Sequence, residues 1–116
     1  MSLKRIKVGP RLSKVAVFRD VAYFSGIVPR NTGADITDQT REVLAQIDDL
    51  LREVGSDKTQ ILQCQVFLAD LKSFDAMNVA WDEWVPREHT PPRATVEARL
   101  ANSKWLVEIV LSAAIF

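Results

Sequence analysis

Residues 105–115 read Trp-Leu-Val-Glu-Ile-Val-Leu-Ser-Ala-Ala-Ile, a run that is apolar whichever way it is pleated. Successive side chains of a strand point to opposite faces. Trp105, Val107, Ile109 and Leu111 therefore form one face, and Leu106, Val110 and Ala114 the other. In water such a strand needs cover on both sides, because apolar patches of that size are uncommon on monomers. The chain upstream offers helices for one side only, so the strand by itself predicts a homo-oligomer in which a second copy covers the other side.

The upstream elements follow from periodicity. Residues 15–19 and 21–25 are short and rich in β-branched and aromatic side chains, with Arg19-Asp20 as a hairpin turn and Ser25-Gly26 as a strand end. A polar loop, Pro29-Arg30-Asn31-Thr32-Gly33, follows. From Asp35 the apolar period lengthens to about 3.6 residues: Ile36, Thr40, Val43, Leu44, Ile47, Leu50, Leu51 and Val54 form one helical stripe. Asp35 is its expected N-cap and Gly55 its left-handed C-terminal residue. Residues 60–69 return to strand character, with Leu62, Cys64, Val66 and Leu68 on one side and Gln63, Gln65 and Phe67 on the other. A second helix is expected from Ser73 through Phe74, Met77, Trp81, Trp84 and Val85, ending at Pro86. Two strands, 93–100 and 105–115, joined by a turn at 101–104, close the chain. The order β-β-α-β-α-β-β, with a further N-terminal strand at residues 5–8, is that of an α+β sheet carrying two helices on one face.

Composition narrows the function classes. At 116 residues the chain is expected to form one domain over 1–116. Fifteen basic side chains balance 15 acidic ones, which argues against a general nucleic-acid binder, since that needs excess positive charge. The single cysteine, Cys64, excludes an internal disulfide, and with one histidine, His89, it makes a structural metal cage improbable. Neither a signal peptide nor a membrane span is evident, and a cytoplasmic protein is expected.

Two side chains stand out chemically. Glu108 lies between Val107 and Ile109, where an ordinary core would place another aliphatic. A carboxylate there should be protonated or paired. It is either half of an ion pair at a subunit boundary or a proton donor or acceptor of tuned pKa. Arg93 follows Pro91-Pro92 and opens a strand, so its guanidinium rises from a stiff base suited to bidentate capture of a carboxylate. The plainer alternative is a salt bridge at the rim. Ser25-Gly26 could set a hydroxyl and a closely approachable N–H at a strand end, or be a turn and nothing more. Trp81 and Trp84 fall on the stripe of the second helix and read as core. His89 reads as a solvated loop residue. Lys4, Arg5, Lys7, Arg11 and Lys14 read as a solvated edge. No glycine-rich phosphate loop is present.

The segment Pro91-Pro92-Arg93-Ala94-Thr95-Val96-Glu97-Ala98-Arg99-Leu100-Ala101, followed by Val107-Glu108-Ile109, resembles the C-terminal signature of the reactive-intermediate deaminase family, RidA or YjgF. The likeness extends to Tyr23-Phe24-Ser25-Gly26-Ile27-Val28-Pro29, to the long helix from Asp35 to the exit turn at Gly55-Ser56-Asp57-Lys58, and to Val66-Phe67-Leu68-Ala69-Asp70-Leu71 and Phe74-Asp75-Ala76-Met77-Asn78.

That resemblance implies a chorismate-mutase-like α+β fold assembled as a homotrimer, with the sheets forming a central barrel, the helices outside and a cleft at each subunit interface. It implies hydrolysis of reactive enamines and imines, such as 2-aminoacrylate, to 2-oxo acids and ammonia, without a cofactor. In the family the arginine matching Arg93 binds the substrate carboxylate. The glutamate matching Glu108 positions water or handles a proton, and groups at Ser25, Gly26, Ala94 and Thr95 line the cleft. Two alternatives accompany this reading: a non-catalytic binder of small carboxylates or 2-oxo acids, and an endoribonuclease or translation inhibitor. The chain departs from the characterised deaminases in having Gly9-Pro10-Arg11 where they carry a tyrosine after Gly-Pro, and Thr95 where they commonly have cysteine.

Overall fold

The computed structural model describes residues 2–116. Eight main elements follow in order: β1 (Leu3–Val8), β2 (Ser13–Phe18), β3 (Val21–Phe24), α1 (Ile36–Glu53), β4 (Ile61–Leu68), α2 (Phe74–Trp84), β5 (Arg93–Glu97) and β6 (Val107–Ala114). Short 3₁₀ turns precede β4 and α2. The strands form one six-stranded sheet of order β1-β2-β3-β6-β4-β5, with α1 and α2 against one face.

Local chemistry accounts for most boundaries. The β2–β3 loop has only two residues, and Arg19 takes the positive φ of 57° that such loops favour. The Asp35 carboxylate accepts a hydrogen bond from the Asp38 N–H at 2.9 Å and caps α1. Gly55, at φ 80°, turns the chain out of the helix. The α1 stripe buries Val43, Leu44, Ile47, Leu50 and Leu51 against Val15, Val66, Leu68, Val107, Ile109 and their neighbours. Ser73 stands at the N-terminus of α2 but makes no side-chain cap there; Asp70 instead caps the preceding 3₁₀ turn through the Lys72 N–H.

Several expectations need correction. The last two strands are consecutive in sequence but do not pair: β5 is the sheet edge, parallel to β4, and β6 lies between β3 and β4. Helix α2 carries the chain across the sheet, so β5 returns alongside β4 in the same direction, and residues 98–106 must then cross back to the centre. This also shortens the strands: the Ala98 N–H bonds to the Leu68 carbonyl at 2.9 Å, where β5 has ended, and β6 begins at Val107. Leu62 does not join the inward row of β4. The β4–β6 register shifts between Ile61 and Gln63, so Ile61 turns inward and Leu62 is 46% exposed. Phe74 is likewise no core residue, at 39% exposed.

Buried Gln39 steadies the return crossing. Its amide nitrogen donates to the carbonyls of Ala34 (3.2 Å) and Lys104 (3.1 Å), and its amide oxygen accepts from the Leu106 N–H (2.9 Å). A polar side chain in this position is tolerated because each of its groups is bonded.

The opposite sheet face carries no helix. Directly opposed residues of neighbouring strands share a face, so Glu108, Val110, Ser112 and Ala114 of β6 line this open side with Phe67 and Gln65 of β4 and Tyr23 of β3. Phe18, Tyr23 and Val96 are exposed there.

Candidate functional site

Arg93 opens β5 opposite Cys64, and both side chains point to the helix-covered face. The Pro92 carbonyl is tied to the Cys64 N–H at 3.0 Å, which fixes the base of the arginine. The half-buried guanidinium meets three residues of α2. Its Nη1 donates to Asn78 Oδ1 at 2.9 Å, and its Cζ lies 4.8 Å from the centre of the Trp81 ring and 5.8 Å from that of Phe74. No carboxylate among the described residues forms an ion pair with it. The rim salt bridge is thus not what this arginine makes within the chain: it is a half-buried cation held by a neutral amide and by ring faces. Beneath it, burial pushes the Cys64 thiol up to about 12, against the opposing pull of the Arg93 charge.

Glu108 belongs to the other face. It stands opposite Phe67 on the open side of the sheet, and its side chain folds over Gly26. Tyr23 opposes Ser112 and Ile27 opposes Ile109, so three residues of β3 and its continuation lie between the two pairs where β6 has two. The extra residue makes a bulge at Ser25-Gly26. Ile27 and Ile109 then re-engage through two backbone hydrogen bonds of 2.8 and 3.0 Å. A Cβ at Gly26 would lie 1.9 Å from Glu108 Oε2, so glycine is required for the carboxylate to lie there. Among the described residues Glu108 has neither an ion pair nor a hydrogen-bond donor. Ser25 Oγ, next to Gly26 in sequence, is buried without a partner among the described residues, while the Ser25 N–H is bound to the Lys14 carbonyl at 2.8 Å.

Thr95 lies on the helix-covered face with Arg93, opposite Val66, and Ala94 is exposed on the open face opposite Gln65. The candidate residues therefore fall into two groups: Arg93 and Thr95 on the helix-covered face, and Ser25, Gly26, Ala94 and Glu108 on the far side of the sheet. Within one chain the sheet separates Arg93 from Glu108. A shallow hollow of about 270 Å³ on the open face, lined by Tyr23, Gln63, Gln65, Val110 and Ser112, contains neither.

The remaining candidates stay apart from both groups. His89 is an exposed loop residue whose backbone N–H binds the Pro86 carbonyl. Lys7, from the basic N-terminal cluster, pairs with Glu53 at 3.6 Å on the surface. Trp84 donates its indole N–H to the Asp48 carboxylate at 3.0 Å. No group of described residues has the makings of a metal site. Asn78 was not singled out by sequence, although a signal exists: Phe74, Asn78 and Trp81 share one helical face, and an amide in an otherwise apolar stripe is unusual.

Comparison with known proteins agrees with this architecture. The profile of the family described as Endoribonuclease L-PSP matches residues 3–115. A RutC family protein of Haemophilus ducreyi is 48% identical over 113 residues, covering 97% of each chain. A more distant relative from Acinetobacter baylyi, named 3-aminoacrylate deaminase RutC, is 30% identical over 96 residues, covering 78% of this chain and 75% of that one. Among solved structures, a YjgF-family protein of Neisseria meningitidis superimposes with a TM-score of 0.97 at 41% identity, covering 100% of this chain and 97% of that one.

Proposed function

The chain belongs to the RidA/YjgF (RutC) family, and from that premise we propose that it hydrolyses small carboxylate-bearing enamines and imines of the 2-aminoacrylate type to 2-oxo acids and ammonia. The observation that carries this reading is Arg93, a half-buried guanidinium with no carboxylate among the described residues of its own chain to neutralise it. Such a cation attracts a planar anion. The relative named as a 3-aminoacrylate deaminase supports the same substrate class.

The copies assemble as a homotrimer. The open faces meet around a central barrel, the helices lie outside, and each cleft forms where the Arg93 side of one copy approaches the Glu108 side of the next. This brings together two groups that a single chain keeps on opposite sides of its sheet. It also covers the apolar residues of the open face.

In the cleft Arg93 holds the substrate carboxylate, with Thr95 beside it. The enamine accepts a proton at its β-carbon to become the iminium, whose C2 is electrophilic. Glu108 takes a proton from water as the water oxygen bonds to C2, and then delivers it to the amine nitrogen. The C–N bond breaks, ammonia leaves, and the C2 hydroxyl loses its proton to give the 2-oxo acid. Ser25 Oγ and the Gly26 N–H orient the water or the carbonyl that forms. Positioning and one proton relay suffice, because the carbon is already reactive. No step requires a cofactor or a metal. The reaction belongs to the cytoplasm on this reading; among the described residues no helix is long and apolar enough to cross a membrane.

Ammonia release from imines generated in situ by an amino-acid oxidase tests the proposal. The protein should accelerate release, and Arg93→Ala should abolish the acceleration; an unchanged rate in that variant removes the clamp. Saturable binding of pyruvate that depends on Arg93, with no turnover of any imine, would instead identify a carboxylate-binding regulator. An RNA-cleaving or translation-inhibiting role is disfavoured by the zero net charge and by the placement of the single histidine, His89, in an exposed loop. RNA cleavage that persists in an Arg93→Ala, Glu108→Ala double variant would come from a contaminant rather than from this site.

A further inference from the structure

Arginine has a long, flexible side chain, and its value as a carboxylate clamp depends on how much freedom is removed before the ligand arrives. Here that task falls to one face of α2. Phe74, Asn78 and Trp81, at steps of four and three residues, lie along one face of the helix, and all three meet the same guanidinium. We infer that Asn78 and Trp81 are positioning residues for Arg93, with the amide oxygen fixing Nη1 and the indole face fixing the plane of the guanidinium.

The inference rests on the carboxylate-clamp reading above and adds its specificity device. Asn78 is a neutral acceptor. It orients the guanidinium without cancelling its charge, which a carboxylate at the same place would do. With Nη1 held at 2.9 Å, the Nε–Nη2 edge keeps its two parallel donors unclaimed among the described residues, and that edge matches the two oxygens of a carboxylate. Trp81 is almost wholly buried in the core and cannot swing away, so its ring is a fixed floor under the cation. Phe74, being 39% exposed, forms an apolar wall at the mouth instead. The substrate class that fits is a short carboxylate whose remaining atoms are apolar or carry only the C=N group, since a second negative charge would lie against the Phe74 ring, whose face favours cations.

The test compares Asn78→Ala, Asn78→Asp and Trp81→Phe with the wild type and with Arg93→Ala. Pyruvate binding is measured by titration calorimetry, and turnover on an imine generated in situ is resolved into kcat and KM. Asn78→Ala should weaken pyruvate binding and raise KM roughly tenfold, with kcat nearly unchanged, as expected for an interaction with the carboxylate alone. Asn78→Asp should be worse, about a hundredfold, because the new carboxylate occupies the clamp. Trp81→Phe keeps a ring and should cost about threefold. Asn78→Asp binding pyruvate as well as the wild type, while Arg93→Ala does not, would overturn the positioning role and leave the clamp standing.

An Arg93→Ala variant that binds pyruvate normally would remove the clamp reading, and the positioning role is then judged by nuclear magnetic resonance alone. The Arg93 Nη1 proton that Asn78 accepts should give a sharp, slowly exchanging resonance in the wild type and should broaden in Asn78→Ala. Persistence of the same sharp signal in that variant would refute the inference irrespective of function.

Discussion

The two faces of β6 differ by one residue in sequence and by everything in environment. Ile109 points into the helix-covered core and is fully buried, whereas Glu108 and Val110 point to the side that carries no helix. On the covered side the chain supplies its own partners: α2 supplies an amide and two rings to Arg93, and α1 seals the core behind it. On the open side the chain stops short. Among the described residues, Glu108 lies over Gly26 with no donor, and Ser25 Oγ is buried with no partner. On the proposed reading, one half of the site is finished within a single chain and the other half is completed by a neighbouring copy.

Substitutions on the two faces should therefore fail in different ways. The largest effect is expected from Val110→Asp, which sets a carboxylate in the proposed seam. An unpaired charge there costs several kcal/mol of association. Sedimentation velocity should show monomers with an unchanged circular dichroism spectrum; an intact trimer would place the seam elsewhere. Ile109→Ala, one residue away, should cost about 3 kcal/mol of folding free energy through lost burial and a residual cavity. Urea denaturation across a range of protein concentrations separates the two, because a loss from the covered core should not depend on concentration.

Gly26→Ala comes next. The added methyl would collide with Glu108 Oε2, the mobile end of a side chain, so the carboxylate should be displaced at little cost to the fold. Activity should fall about a hundredfold or more, in line with the loss of a general acid–base group, while the melting temperature changes little. Retained activity would mean that the position of Glu108 over Gly26 does not matter to the reaction. The smallest effect concerns Cys64. Burial raises its pKa to about 12, so the thiol should resist a disulfide reagent at pH 8 and react only on unfolding. For the same reason its neutral form is favoured by folding. That contribution is complete below its ordinary value of 9.0 and is lost as pH rises from there through about 12. Rapid labelling of the native protein at pH 8 would show that the covered face opens.

Much of this division was legible in sequence, and the reasons for the rest are physical. Helix α1 was readable because its apolar period, its Asp35 cap and Gly55 all report the same local geometry. The need for cover over β6 was readable from alternation alone. Strand order was not: nothing local in residues 93–97 says whether they pair with β4 or with β6, since α2 decides that by crossing the sheet. The bulge at Ser25-Gly26 also escaped notice, because it is a count of three intervening residues against two and appears only once both strands are aligned. Arg93 and Glu108 were picked out by residue type and flanking sequence, but their separation by the sheet follows from register. Trp81 was read as core and does lie in the core; its second contact, with Arg93, could be suspected only from Asn78 on the same helical face.

The central claim is that one catalytic cleft draws Arg93 from one copy and Glu108 from its neighbour. Mixing subunits tests it directly. Arg93→Ala and Glu108→Gln proteins, each inactive alone, are unfolded together in equal amounts, refolded and assayed for ammonia release. If each cleft is shared around a ring, about a quarter of the clefts in the mixture should carry both native side chains, and activity should return to about that fraction of the wild type. A mixture that remains as inactive as its parents, although mixed trimers have formed, would contradict the account.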